Sequence, residues 1–183
     1  LESVDGGLME DITVSNIAMR DIFNAPIFIR LGARLRGPGH PPIGTARRIK
    51  ISNVVASNVA AVHGIILDGM PGFPLEDVEL SHLSIQYAGG GTREQAQRTV
   101  PEMTGEYPDP SRYGAVPAYG MFARHVNNLT IDHVRFSHTK EDLRPCLFLQ
   151  DVVGADVSHL KAVRAAGTPL LILKGVSALN IHQ

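Results

Sequence analysis

One unit recurs along the 183-residue chain, and it restricts the fold more than any other feature. It reads ITVSNI (Ile12 to Ile17), IKISNV (Ile49 to Val54), VELSHL (Val78 to Leu83), LTIDHV (Leu129 to Val134) and ADVSHL (Ala155 to Leu160), with LNIH as a shortened sixth copy. Apolar and polar residues alternate within each copy, which is the period of a half-buried strand. A second unit precedes most copies: PIFIRLG, GIILDGM, GMFARHV, CLFLQDV and LLILKGV. In it Arg30, Asp68, Arg124, Gln150 and Lys174 share one outward position. Glu2 fits that column too, because it precedes Ile12 by the ten residues that separate Asp68 from Val78. Leu147 to Leu171 and Ala155 to Leu179 are each 24 residues apart, which sets the basic repeat. A repeat of that length, with two or more strands and no helical period, predicts an all-β, right-handed parallel β-helix whose coils stack at about 4.8 Å. The LxxLxLxxN frame of leucine-rich repeats does not fit these copies. A β-sandwich would give many short strands but would not require one side-chain type at one place in every copy.

Stacking has a consequence at the end of each copy of the first unit. Asn16, Asn53, His82, His133 and His159 occupy one equivalent site. Stacked coils turn that site into a ladder of Asn and His at a bend, each side chain bonding backbone or its neighbour. Three histidines in a row raise the question of a metal ion. Asn fills the site in the other copies and no carboxylate joins the column, so a structural ladder is expected and a metal is not.

Two coils are longer than the repeat. Ile12 to Ile49 spans 37 residues and Val78 to Leu129 spans 51, which places insertions at 33–46 and 89–118 of a single β-helix unit covering 1–183. Loops beyond about 12–15 residues are uncommon in compact domains unless functional or disordered. The second insertion is not composed like a disordered linker, since all four tyrosines, Tyr87, Tyr107, Tyr113 and Tyr119, lie in or beside it. Their rings either tack the loop onto the outside of the solenoid or wall a ligand groove. The first insertion supplies Arg34 and Arg36, which with Arg30, Arg124 and His125 make a local cationic set. Guanidinium groups converging from several coils suit carboxylates, and a solenoid offers a long groove that suits a polymer. An acidic polysaccharide is the expected partner.

Composition excludes other classes. With 17 basic against 18 acidic residues there is no overall basic footprint for nucleic acid. No apolar run reaches the roughly 18 residues that span a membrane. The single Cys146 has no partner for a disulfide or a thiolate metal site, and its PCLFLQ context predicts a buried structural thiol. No signal peptide and no initiator Met are visible, which leaves the compartment open, secreted or periplasmic among the options.

Several blocks in order, from LESVDGGLMEDITVSNIAMRDIFNAPIFIRLGARLRGP through IGTARRIKISNVVASN, GMPGFPLEDVELSHLSIQYAGGGT and VPEMTGEYPDPSRYGAVPAYGMFARHV to DLRPCLFLQDV, resemble polygalacturonase-like enzymes. These are glycoside hydrolases of family 28, within the pectin-lyase-like β-helix superfamily. The resemblance implies inverting hydrolysis of galacturonate- or rhamnogalacturonate-containing chains by aspartates, helped by a histidine in a Gly-His-Gly turn and by an Arg-Ile-Lys strand. No organic cofactor or metal is implied. Neither an Asp-Asp pair nor Gly-His-Gly occurs here, and Arg48, Ile49 and Lys50 spell Arg-Ile-Lys in the wrong strand. The expectation is therefore the C-terminal coils of a monomeric parent enzyme, with its catalytic aspartates upstream and this piece inactive alone. Expected to contact the pectic chain are Arg30, Arg124 and His125, with Tyr107, Tyr119 and Glu102 as weaker candidates. Glu2 and Asp68, two rungs apart with Arg30 between them, are a long-shot carboxylate pair near the upper edge of the inverting separation; pairing as a charge ladder is the simpler expectation. Asp5, in the VDGG turn, is expected to be a turn residue.

Two rivals remain at this stage. A non-catalytic glycan-binding or structural β-helix, of adhesin or tailspike type, would carry the same repeat without upstream catalytic motifs. A polysaccharide lyase on the same fold would want acidic calcium ligands in the groove, and the outward column is mixed in sign. Uncapped end coils would expose strand edges, so the isolated piece is expected to be marginal or prone to aggregate.

Overall fold

A computed structural model of the protein describes residues 1–182. The strands are β1 (Glu2–Ser3), β2 (Leu8–Arg20), β3 (Phe28–Leu31), β4 (Thr45–Val59), β5 (Ile65–Asp68), β6 (Leu75–Gly89), β7 (Met121–Lys140), β8 (Leu147–Ser158), β9 (Lys161–Ala162) and β10 (Leu171–His182). One four-residue helix, α1 (Arg93–Ala96), and a short 3-10 turn at Pro110–Tyr113 complete the elements. The protein is thus all-β, and the strands join one ten-stranded sheet. Among the described residues no helix is long and apolar enough to cross a membrane.

Every strand pairing in the sheet is parallel, and each joins equivalent positions of successive repeats. The first-unit copies pair as β2, β4, β6, β7, β8 and β10, with Ile12 opposite Ile49, Ile49 opposite Val78, Val78 opposite Leu129, Leu129 opposite Ala155 and Ala155 opposite Leu179. The second-unit copies pair as β1, β3, β5 and the start of β7, which belongs to both rows. The inward residues therefore stack in apolar ladders. Ile49, Val78, Leu129 and Ala155 line one; Ile29, Leu67, Ala123 and Leu149 line another, and all eight are buried in a single core. Met121 and Ala123 point into that core, as the alternation of GMFARHV requires.

The bends between rows are made by residues in the left-handed conformation. Asn16, Asn53, His82, His133 and His159 have φ between 51° and 60°, so the Asn/His column exists because these polar side chains tolerate a backbone that most L-residues avoid. Asn53 Nδ2 donates to Asn16 Oδ1 at 3.3 Å, while His133 stacks between His82 and His159. A second bend shares the left-handed backbone, although Arg48 and Ala178 stand in it beside Asp, Asn and Gly. Asp11, Arg48, Asp77, Asn128, Gly154 and Ala178 are equivalent by register and have φ between 53° and 72°. Replacing exposed Asn53 by Val places a β-branched residue at a φ of 54° and is expected to lower the unfolding free energy in urea by about 1–2 kcal/mol. Ala178→Gly relieves the same strain and is expected to raise it by about 0.5 kcal/mol.

Candidate functional site

The charged column predicted from the second unit forms in full register: Glu2 lies opposite Arg30, Arg30 opposite Asp68, Asp68 opposite Arg124, Arg124 opposite Gln150 and Gln150 opposite Lys174. These residues leave the outer face of the sheet, but the middle of the column does not reach solvent. Arg30, Asp68 and Arg124 are 1%, 3% and 0% exposed. The segment 89–118 lies over them.

The cover is apolar as well as polar. Ile66, Phe122 and Phe148, which alternate with the core residues on β5, β7 and β8, pack against Val100, Met103, Tyr113, Val116 and Ala118 of the insertion. Arg124 then fastens the loop: its Nε donates to Asp68 Oδ1 at 2.8 Å, Nη1 to the Val100 carbonyl at 2.9 Å and Nη2 to the Pro101 carbonyl at 3.3 Å. Arg30 donates to the carbonyls of Met103 and Tyr107, and the Tyr113 hydroxyl donates to Asp68. Burial, with the Asp68 carboxylate beside it, pushes the Tyr113 phenol well above its ordinary range. A guanidinium without such partners would be costly to bury. Gly69 permits this close stacking, since a Cβ there would come within 2.2 Å of the His125 carbonyl oxygen.

The expectation that Arg30 and Arg124 grip uronate carboxylates from solvent is corrected by this arrangement: both are buried, and both are donors to loop carbonyls. Asp68 is sealed between Arg124 and Tyr113, which removes the long-shot pairing of Glu2 and Asp68 as base and acid. Glu2 is exposed at the end of the column. His125 is mostly buried and bridges two carboxylates, with Nδ1 2.6 Å from Asp151 Oδ2 and Nε2 3.0 Å from Glu102 Oε1. Glu102 also lies 3.1 Å from Arg124 Nη1, and it remains 41% exposed. The structure thus brings Arg30, Asp68, Glu102, Arg124 and His125 into one cluster whose work is to hold the insertion. Tyr107 lies at its margin, exposed beneath the Arg34 guanidinium at 5.4 Å. Tyr119 is elsewhere and buried, edge-on to Tyr87 and His138, its hydroxyl donating to the Val163 carbonyl. Three of the four tyrosines are therefore buried anchors, and Tyr107 alone is open. Arg34 is tied to the Asp5 carboxylate, which also accepts from the Arg36 backbone N–H at 2.9 Å.

A second anchor was not anticipated. Arg144 and Asp142 are buried and paired at 2.8 Å; Arg144 also donates to the carbonyls of Ala61, Val62 and Val116, and Asp142 accepts from the Gly91 N–H. It closes the base of the same insertion. Cys146 lies beneath, fully buried, and burial pushes its thiol up to about 12, which fits a structural role.

The open groove lies on the other row. Thr13, Lys50, Glu79, Thr130, Asp156 and Asn180 are equivalent by register and face outward, one per coil. Over β2, β4, β6 and β7 the groove encloses about 500 Å³, lined also by Asp11, Arg48, Asp77 and Asn128. It continues past Asn128 and Thr130 toward Asp156 and Asn180 with a further 220 Å³. Its charges are largely paired. Lys50 Nζ is 2.7 Å from Glu79 Oε2, Arg48 is held by Asp11 and Glu10, and Asn128 donates to Asp77. Arg48 and Lys50 of the Arg-Ile-Lys triplet therefore sit in this groove after all, as members of a mixed polar surface. The repeat already held the signal: the second residue of each copy, from Thr13 in ITVSNI to Asn180 in LNIH, is polar in all six.

No protein-family model matches the chain, and no curated protein matches it. Among solved structures, a protein of Parabacteroides merdae described as a "putative glycosyl hydrolase" superposes with a TM-score of 0.43 at 9% identity, over 97% of this chain and 81% of that one. That degree of likeness bears on neither activity nor substrate.

If Asp68 holds the insertion down, Asp68→Ala removes the buried carboxylate of Arg124 and leaves it only the half-exposed Glu102. A loss of about 3–5 kcal/mol is expected in denaturant melts, with protease cleavage appearing first within 89–118. Tyr107→Ala, at the open margin, is expected to leave both unchanged.

Proposed function

We propose that residues 1–183 are coils of a right-handed parallel β-helix that holds an extended glycan along the Thr13 to Asn180 groove, as part of a polygalacturonase-like glycoside hydrolase acting on pectic chains. The single observation behind this reading is the groove itself, which presents one polar side chain per coil at the same place on six successive coils. Five rungs at about 4.8 Å give roughly 24 Å of continuous hydroxyl, amide and charged groups. That spacing is close to the advance of an extended pyranose chain, so successive sugars meet successive coils. A compact metabolite would leave most of the groove empty. Supporting the family reading are the sequence blocks and the parallel, repeat-to-repeat sheet; with neither an Asp-Asp pair nor Gly-His-Gly here, the reading puts the catalytic aspartates elsewhere in the enzyme.

Charge narrows the substrate. The groove and its extension carry Asp11, Asp77, Glu79 and Asp156 against Arg48 and Lys50. A fully charged polygalacturonate would meet this excess of carboxylates, whereas Arg30, Arg124 and His125 of the cationic set are enclosed under the insertion and Arg34 is paired with Asp5. A rhamnogalacturonate backbone, in which neutral and acidic sugars alternate, halves the charge density and lets hydroxyls bond the carboxylates while one uronate sits near Lys50.

Affinity electrophoresis of the purified chain tests this. Retardation by rhamnogalacturonan is expected to exceed that by polygalacturonate, and Lys50→Ala should weaken it by roughly two- to fivefold, the worth of one exposed charge contact. Glu79→Gln should improve binding of polygalacturonate. No retardation by any pectic polymer would overturn the reading, and release of reducing ends by this chain alone would overturn its placement of the catalytic pair.

A further inference from the structure

The carboxylate that the sequence pattern leaves out of the Asn/His column is present in space. Asp132 occupies the position filled by Ser52, Ser81 and Ser158 in neighbouring coils, and its side chain reaches the bend. Asp132 Oδ2 lies 2.8 Å from His133 Nδ1, and Oδ1 lies 3.1 Å from His159 Nδ1 on the next coil. All three ligand atoms fall within 4.8 Å of one another.

The arrangement is supported from several sides. The His133 and His159 rings stack with centroids 4.1 Å apart and 25° between planes, so both Nδ1 atoms face the same carboxylate. His82 stacks on the far side of His133 at 5.0 Å with its plane 1° from parallel. Left-handed backbone, at a φ of 51° for both histidines, fixes where the rings leave the chain. Ser158 Oγ donates to Asp132 Oδ1 at 2.7 Å. Asp132, an ordinary carboxylate near neutral pH, supplies an anionic oxygen ligand.

We propose that Asp132, His133 and His159 form a binding site for a divalent transition-metal ion of the zinc class. Ligands about 2.0–2.1 Å from a tetrahedral zinc lie roughly 3.3 Å apart, so ligand atoms already within 4.8 Å of one another reach that geometry by small side-chain rotations. Two imidazoles and a carboxylate suit zinc, nickel or copper rather than calcium or magnesium. Three protein ligands leave a position open to water or to an oxygen of a second molecule. Two ligands come from one coil and the third from the next, so the ion ties the coils together. The site lies two to three residues beyond Thr130 and Asp156 of the groove and does not depend on the glycan reading.

Calorimetric titration of the metal-free chain with zinc chloride is the direct test. The wild type is expected to bind one equivalent with micromolar affinity and to melt at a higher temperature with zinc present. His133→Asn and His159→Asn place at each bend the residue found at Asn16 and Asn53, so the left-handed backbone and the fold are retained. Each is expected to weaken zinc binding at least about tenfold, as is Asp132→Ser, which restores the residue of the other coils. His82→Asn should leave affinity within about twofold, since His82 stacks but offers no ligand. Far-UV circular dichroism checks that each variant is folded. Failure of the folded wild type to bind zinc stoichiometrically would overturn the proposal, as would wild-type affinity in the folded His133→Asn, His159→Asn double variant.

Discussion

Parallel pairing in register is the constraint on which everything else in this protein depends. Because each repeat pairs with the next with equivalent residues opposed, whatever stands at one place in the repeat becomes a continuous column. Apolar positions become core ladders such as Ile12, Ile49, Val78 and Leu129. Positions in left-handed backbone become bends of Asn, Asp, His and Gly. Outward polar positions become surfaces that extend across the sheet from strand to strand.

The same rule explains how the long insertion is held. A column of alternating charge on an open face would be worth little, since exposed ion pairs are screened by water. Here the insertion lies over the column, excludes solvent and offers its own carbonyls to Arg30 and Arg124. Once enclosed, those guanidiniums require the loop as much as the loop requires them. The aromatic and apolar residues of 89–118 complete the contact by packing on Ile66, Phe122 and Phe148. His125, between Glu102 and Asp151, marks the border where the cover meets solvent.

The repeat, the strands, the register of both columns and the buried thiol were legible in the sequence, because each follows from alternation and spacing alone. The direction of Arg30, Asp68 and Arg124 was legible too: they do leave the outer face. What alternation does not contain is whether another segment of chain lies on that face, and this is why residues read as ligands for a substrate proved to be anchors for a loop. Tyr119 is placed differently: its ring belongs to the interior core, buried against Tyr87 and His138. Asp132 was hidden differently. It belongs to a strand face in sequence but to the bend in space, and only side-chain placement joins it to His133 and His159.

Two faces of this protein compete for the role of binding surface, and they are separated cleanly by residue. Chemical-shift mapping of the isotope-labelled chain with a rhamnogalacturonate oligomer decides between them. Shifts are expected to centre on Thr13, Lys50, Glu79 and Thr130, with Tyr107, Glu102 and His125 unmoved. Shifts centred instead on Glu102, Tyr107 and His125 would contradict this assignment.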